Sequence, residues 1–507
     1  MTTPVKFPAR ILGAALLLGW TFDLLFYGQL PGLSVALFVL LLVGTLYGVA
    51  RREGIAPRRR NLWLMLPLAF FAAMVAVHAD AGLTALNILA CLLILVLLAY
   101  YYSAGNLDRL GIAGYYLALC ISAFNSMFRA APLITESIEL RTVRGRGGVS
   151  ARKVMPILRG LLLALPIAIV FTALLASADT VFATWVGAIF SLNLSFIPSV
   201  QEAMWHVVLV LTVAWLVAGG IAFALSRASA TETEPWEDVL QSIPRTIHLG
   251  FVESTVILVV VDLIFALFGW IQFSYLFGGS INIASEGYTY ADYARRGFFE
   301  LLVVSLLTLM LVLSLHNFTW RETARQSLIF KTLVSIIVAL TGILLASALY
   351  RMLLYEEAYG FTGLRLYVQV FEIWLAVMFC WLLFTMWKPS QRFAIGAFVA
   401  ALGFLATMNM INPDATIVQQ NFARYHQTGQ IDIDYLATLS EDAIPTLLSN
   451  AAQLPAYDGT LLIHTLQAKW TYKEDKLDLQ SITSFNISRW QARLYMQDTD
   501  QHYTANR

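Results

Sequence analysis

The stretch Thr255–Trp270, TVILVVVDLIFALFGW, holds a single charged side chain, Asp262. It lies inside an apolar run over 250–275, longer than the roughly 20 residues a helix needs to cross a hydrocarbon core. A backbone group left unpaired in lipid costs several kcal/mol, so a run of this kind must be helical. Working outward, comparable runs recur over 11–27, 33–50, 62–79, 83–102, 160–178, 205–225, 298–316, 332–354, 366–387 and 394–411. They predict an all-α fold: a polytopic transmembrane helical bundle of about 11–12 spans.

Composition agrees. The chain has 507 residues, 59% hydrophobic and 13% charged, against about a quarter charged in soluble domains. Length alone would suggest two or three soluble domains, but the hydropathy overrides that. A net charge of +1 gives no global field for nucleic acid. Cys91, Cys120 and Cys380 all lie in apolar runs, where a free cysteine behaves as a small hydrophobe. Neither a disulfide nor a metal site is expected. The histidines are scattered, without HExxH spacing, and no motif implies a cofactor. The start, MTTPVKFPARILGAALLLGWTFDLLFYG, has the basic lead and apolar core of a signal peptide. No small-x-small cleavage site follows and a second apolar run comes at once, so an uncleaved first span is expected.

Lysine and arginine in the short links set the expected orientation. RREGIAPRRR over 51–60, the basic loop 129–159, the link 317–331 with Arg321, Arg325 and Lys331, and the link carrying Lys388 and Arg392 all fall on one side if the N-terminus is cytoplasmic. The expected organisation is therefore N-terminal transmembrane helices over 1–128, a basic cytoplasmic loop over 129–159, a transmembrane core over 160–411 and a polar tail over 412–507 outside. The segment GIAGYYLALCISAFNSMF, 111–128, is apolar enough to cross, but crossing would move the basic loop to the other side. It is expected to be re-entrant, interfacial or packed on the bundle.

The tail reads as a small, mostly helical domain that leans on the membrane part for stability. GTLLIHTLQAKWTYK and ITSFNISRWQARLYM have helical apolar spacing. In EDAIPTLLSNAAQL, Ser440 is the expected cap, with Glu441 and Asp442 in the first turn where acids favour the helix dipole.

Several short motifs carry no chemistry. VRGRGGVS over 143–150 lacks the G-K-[ST] of a P-loop. SARK over 150–153 has no S-D-N or K-T-G companion. Asn193, Asn317 and Asn486 head N-x-[ST] triplets of a kind frequent by chance.

The charges near apolar runs need an account, because a charge inside a span costs at least a few kcal/mol unless paired or wet. Asp262 is the deepest acid. It is either a protonation or ion site or a neutral, hydrogen-bonded packing acid. Tyr290, Tyr293, Arg295 and Arg296 lie in INIASEGYTYADYARRGFFELL, Ile281–Leu302. There Thr289 and Asp292 resemble a capping box, and Arg296 and Glu300 share a helix face. Tyr293 suits the membrane interface. The link 355–365, with Glu356, Glu357 and Arg365, is expected on the same side. Arg295, Arg296, Glu300, Arg351, Arg365 and Glu372 then share one outer layer. They form either a charged outer vestibule or inter-helix ion-pair network, or ordinary interfacial anchors, with arginines snorkelling to headgroups.

The stretches RGLLLALPIAIVFTALLASADTVFA, VDLIFALFGWIQFSYLFGG, GYTYADYARRGFFELL, LYEEAYGFTGLRLYVQVFEIWLAVMF and NPDATIVQQNFARYHQTGQIDIDYLATLSEDAIPTLL resemble the bacterial membrane protein family DUF4173, with its relative DUF4153. The resemblance covers Arg159 to Leu448. It implies a multi-pass protein of the bacterial inner membrane with a polar C-terminal end, and no activity or catalytic residues. Three function classes remain open: an accessory or sensory protein using the tail to dock a protein partner, a transporter or channel using Asp262 and the outer charges on an unidentified small molecule or ion, and an enzyme acting on lipid or envelope material. The enzyme is the least favoured, because no nucleophile–base set or metal spacing is found.

Overall fold

The structure, a computed structural model, describes residues 6–103, 110–134, 198–227, 249–277, 298–388, 392–476 and 481–505, together with 105, 107, 137, 175, 179 and 184. The expected span 160–178, most of the basic loop 129–159 and the Thr289–Asp292 capping box lie outside those residues. Among the described residues the chain is helical, and only the isolated bridge Leu249–Thr319 is extended pairing.

The membrane part contains α1 (Pro8–Phe26), α2 (Leu33–Glu53), α3 (Met65–Met74), α4 (Ala81–Tyr100), α5 (Ile112–Phe128), α6 (Pro198–Ser226), α7 (Phe251–Phe277), α8 (Phe298–Phe318), α9 (Ala324–Tyr359), α10 (Gly363–Trp387) and α11 (Phe393–Ile411). Ten described helices are long and apolar enough to cross a membrane. The chain is an integral membrane protein.

Two expected spans change form. The run 62–79 is a 3-10 turn, Arg59–Leu64, followed by the short α3. Pro67 lacks the amide that a continuous α-helix would bond to the Trp63 carbonyl, so it sits in the first turn of α3. The two pieces together reach about 27 Å by their rises per residue. The second change is α9, which holds 36 residues and runs on to Tyr359. Glu356 and Glu357, expected in a link, are therefore helical. A capping box between Thr323 and Gln326 starts α9.

Helix pairs approach closely where glycine permits it. On α1, a Cβ at Gly19 would lie 2.3 Å from the Val210 carbonyl oxygen of α6. Farther along the same pair, Asp23 meets His206 Nδ1 at 2.8 Å, so the two helices run antiparallel. Glycines on α11 receive the indoles of α10: a Cβ at Gly403 would lie 2.1 Å from Trp374, and one at Gly396 would lie 1.8 Å from Trp381. A shared core joins α3, α4 and α11 through Leu68, Phe71, Ile94, Leu98 and Met408.

The bundle has two chemically distinct ends. At the basic end, the Arg58 amide bonds the Tyr102 carbonyl, Lys331 lies 5.8 Å over the Trp387 ring, and Arg60 and Arg392 border one groove. The links 51–60, 317–331 and 388–392 therefore share this end. Helix α5 is long and apolar enough to cross, yet both its flanks meet the basic end. Tyr115 Oη donates to the Leu107 carbonyl at 3.0 Å, and Arg129, just past the helix, lies 5.4 Å over Phe223 near the end of α6.

At the other end sits a helical cap made of α12 (Pro413–Thr428), α13 (Ile433–Thr438), α14 (Ile444–Asn450), α15 (Ala456–Lys476) and α16 (Ile487–Ala505). Asn412, at φ +52°, ends α11 and caps α12 by accepting from the Ala415 amide at 3.4 Å. The cap has its own core around Val418, Phe422, Leu436, Leu447, Leu462 and Met496. Ser440 does cap the turn after it, but that turn is a 3-10 segment, Glu441–Ala443, leading into α14. Its two acids are not solvated dipole partners: each is only 5% exposed. Glu441 pairs with Lys473, and Asp442 points at the bundle.

Candidate functional site: the joint between cap and bundle

The cap meets the link 75–80 between α3 and α4. The amides of residues 75–78 still bond carbonyls of α3, but the carbonyls of residues 75–78 and the amides of residues 79 and 80 fall past the end of one helix and before the start of the next. The cap supplies their partners. Asn486 Nδ2 donates to the Val75 and His78 carbonyls at 3.0 and 2.8 Å. The Ile487 amide reaches the Ala76 carbonyl at 2.8 Å, and the Ser488 amide reaches Val77 at 3.2 Å. The last two donors of the link are met by Asp442, whose carboxylate accepts from the Ala79 amide at 3.1 Å and from the Asp80 amide at 3.0 Å. Asp80 meanwhile caps α4, accepting from the Leu83 amide at 2.6 Å.

His78 sits under this contact, 4% exposed. Its Nε2 is 2.7 Å from the Asn409 carbonyl oxygen, which can only accept, so Nε2 carries a hydrogen. Its Nδ1 faces Asp442 Oδ1 at 3.8 Å, an electrostatic contact longer than a hydrogen bond. A neutral ring would turn a lone pair toward the carboxylate, whereas the imidazolium turns an N–H. Burial lowers the proton affinity of His78, but the Asp442 charge and the Asn409 carbonyl outweigh it and the pKa is raised. Burial likewise pushes Asp442 up, and the facing His78 ring, with hydrogen bonds from Ser488 and Ala79, brings it below the ordinary value. Nearby Asp414 accepts from the Ser440 amide at 2.8 Å. Its pKa is raised by burial, and further by the Asp80 and Asp442 charges, against the Ser440 bonds. Below His78, Asn87 and Asn409 exchange side-chain amide bonds of 2.8 Å in both directions.

Two further links anchor the cap. The Leu33 amide bonds the Phe485 carbonyl and the Ser34 amide bonds Thr483, at 2.9 and 3.0 Å. Arg489 donates to the Pro31 carbonyl at 2.5 Å and to Ser484 at 3.1 Å. Around 357–363, Asn421 bonds both the amide and the carbonyl of Phe361, at 3.1 and 2.8 Å. Arg424 donates to the Glu357 and Ala358 carbonyls at 2.7 and 2.6 Å, capping the C-terminus of α9.

The charges singled out in the sequence lie elsewhere. Asp262 in α7 is 7% exposed and Glu372 in α10 is 2% exposed, and the oxygens of both lack hydrogen-bond partners. Arg351 is buried in α9, while Glu300 is exposed in the first turn of α8. Arg365 donates to the Gly360 carbonyl and lies 4.3 Å over the Tyr355 ring. Glu356 is fully buried and accepts from Gln369 Nε2 at 2.6 Å. Tyr290, Tyr293, Arg295 and Arg296 lie outside the described residues. Among the described residues, no salt bridge joins Glu300, Arg365 and Glu372 to one another, and no three His, Cys, Asp or Glu side chains converge as a metal site requires.

Nothing local in the sequence marks His78, Asn486 or Asp442 as one site. The available signal was Asn87 and Asn409, two amides inside apolar runs, each of which needs a partner there.

No curated protein and no solved structure matches the chain. The family model described as Domain of unknown function (DUF4153) matches residues 65–450. It is thus the relative, rather than DUF4173, whose model matches, and the match begins well before Arg159. It contains the link 75–80, Asn409 and Asp442, while Asn486, Ile487 and Ser488 lie beyond it. The chain belongs to the DUF4153 family.

Proposed function

We propose that this protein is an accessory or sensory component of the bacterial inner membrane. Its N-terminus and basic links lie in the cytoplasm, and its cap lies outside and docks a protein partner. The positive-inside rule supports that orientation, since three arginine- and lysine-bearing links share the end opposite the cap. The observation that carries the reading is the joint itself. The cap is held by buried polar contacts that satisfy the α3–α4 link, so a force on the cap acts on two bundle helices. The cap offers Tyr457 and Leu461, 77% and 43% exposed on one face of α15. Tyrosine is enriched among the anchors of binding surfaces.

A photo-crosslinking side chain at Tyr457 or Tyr472 in living cells tests this. The expected result is one reproducible protein adduct that weakens when Asp442→Asn loosens the cap. Failure to obtain any protein adduct from several cap positions would refute the docking role.

A second reading, transport, rests on Asp262 and Glu372, two buried carboxyls without hydrogen-bond partners. Reconstituted vesicles with a pH-dependent flux abolished by Asp262→Asn would favour it. Vesicles in which Asp262→Asn changes no measured flux would remove it.

A further inference from the structure

At the basic end a groove of about 470 Å³ opens on the side of the bundle between the 3-10 turn before α3 and the helix α10. Its floor is α11, which presents Gly396, Val399 and Ala400 there. Its walls are indoles: Trp63 on one side, and Trp374 and Trp381 on the other. Each is held in place. Trp374 Nε1 donates to Thr407 Oγ1 at 3.0 Å and Trp381 Nε1 donates to the Arg392 carbonyl at 3.2 Å. Trp63 packs edge-on to Phe398 with centroids 6.2 Å apart. The turn carrying Trp63 is fixed by buried Asn61, whose Nδ2 donates to the Tyr101 carbonyl at 2.9 Å. The glycines at 396 and 403 let both α10 indoles lie against the α11 backbone, which leaves a smooth, preformed channel.

The mouth of this channel has a different character. Arg60 and Arg392, both exposed, stand at the basic end of the groove, one from each side. Tryptophan favours the headgroup level of a bilayer, and basic pockets between transmembrane helices take anionic headgroups. We propose that the groove binds one anionic phospholipid of the leaflet at the basic end. Its phosphate lies between Arg60 and Arg392, and an acyl chain lies along Gly396, Val399 and Ala400. Charge complementarity at the mouth selects the headgroup, and the apolar floor requires the chain. A free anion meets only half of that arrangement.

The test uses the full chain in a neutral detergent, with thermal protection measured against added dioctanoyl phosphatidylglycerol, dioctanoyl phosphatidylcholine or inorganic phosphate. Phosphatidylglycerol is expected to bind at least about fivefold more tightly than phosphatidylcholine. Arg60→Gln or Arg392→Gln should each weaken it about fivefold, the usual effect of one basic residue at an anionic surface. Val399→Trp, which fills the groove from an exposed floor position without touching the arginines, should weaken both lipids and keeps the test decisive if an arginine variant folds poorly. Equal protection by phosphatidylcholine, equal protection by inorganic phosphate, or unchanged lipid affinity in the arginine and Val399→Trp variants would overturn the proposal.

Discussion

Asp442→Asn should release the cap from the α3–α4 link without unfolding either. The native carboxylate is buried beside His78, 3.8 Å away, and accepts from the Ala79 and Asp80 amides. Removing one member of a buried charge pair costs about 3–5 kcal/mol, because the other is left uncompensated. Asparagine keeps the shape and one acceptor oxygen, which places the loss near the lower limit, about 3 kcal/mol. The amides that report cap lifting are Leu33, Ser34, Ile487 and Ser488, each bonded across the joint. Where exchange proceeds through that opening, 3 kcal/mol accelerates it about 140-fold. Hydrogen exchange read by mass spectrometry on peptides covering 31–34, 75–80 and 484–489 measures this directly. Amides in the middle of α9 and α11, away from the cap, should be unchanged. If the joint peptides exchange within about threefold of the wild type, Asp442 does not hold the cap and the energetic argument fails.

The same pair predicts a pH dependence. Docked His78 binds its proton more tightly than an ordinary imidazole at 6.5. Its contribution is complete below 6.5 and is lost as the pH rises through the raised value. Asp442, held below 3.8, contributes above that pH and loses its contribution as the pH falls through its lowered value. Protection of Ser488, corrected for intrinsic exchange, should therefore fall on the alkaline side, and His78→Gln should flatten that fall; an unchanged alkaline profile in the variant would exclude His78 as its source. Gly219→Ala should separate α5 from α6, since the new Cβ would lie 1.8 Å from the Ser126 carbonyl oxygen. Overpacking of this kind costs about 1–3 kcal/mol, visible as a lowered unfolding temperature in detergent. Arg424→Ala removes the guanidinium from the last carbonyls of α9. It should cost about 1 kcal/mol, read as faster exchange confined to 355–363.

The membrane architecture was legible because apolar runs are local. Asp262, the single charge of Thr255–Trp270, needs nothing distant to be read as lying in a span, and α7 contains it. The break in the run 62–79 was also legible in principle, since Pro67 removes an amide at a fixed place. The helical cap followed from apolar spacing in α15 and α16. The joint was not legible, for a physical reason. Asp442 has the sequence context of a first-turn helix acid, and Ser440 is a genuine cap, so a complete local explanation already existed. The carboxylate instead bonds amides more than 360 positions away, and no local pattern encodes that pairing. Glu356 shows the converse error. Its place among polar neighbours suggested a link, but α9 carries it on in helix and buries it against Gln369.

The most direct measurement is a disulfide across the joint. Ala76→Cys and Ile487→Cys, introduced together in a chain whose Cys91, Cys120 and Cys380 are replaced by alanine, put thiols on residues joined by a 2.8 Å backbone hydrogen bond. In native membranes the account predicts rapid, near-complete oxidation to a cross-linked species, slowed by Asp442→Asn. Two thiols that stay reduced under oxidant and label freely with a maleimide would mean that the cap does not rest on the α3–α4 link, and the joint would have to be abandoned.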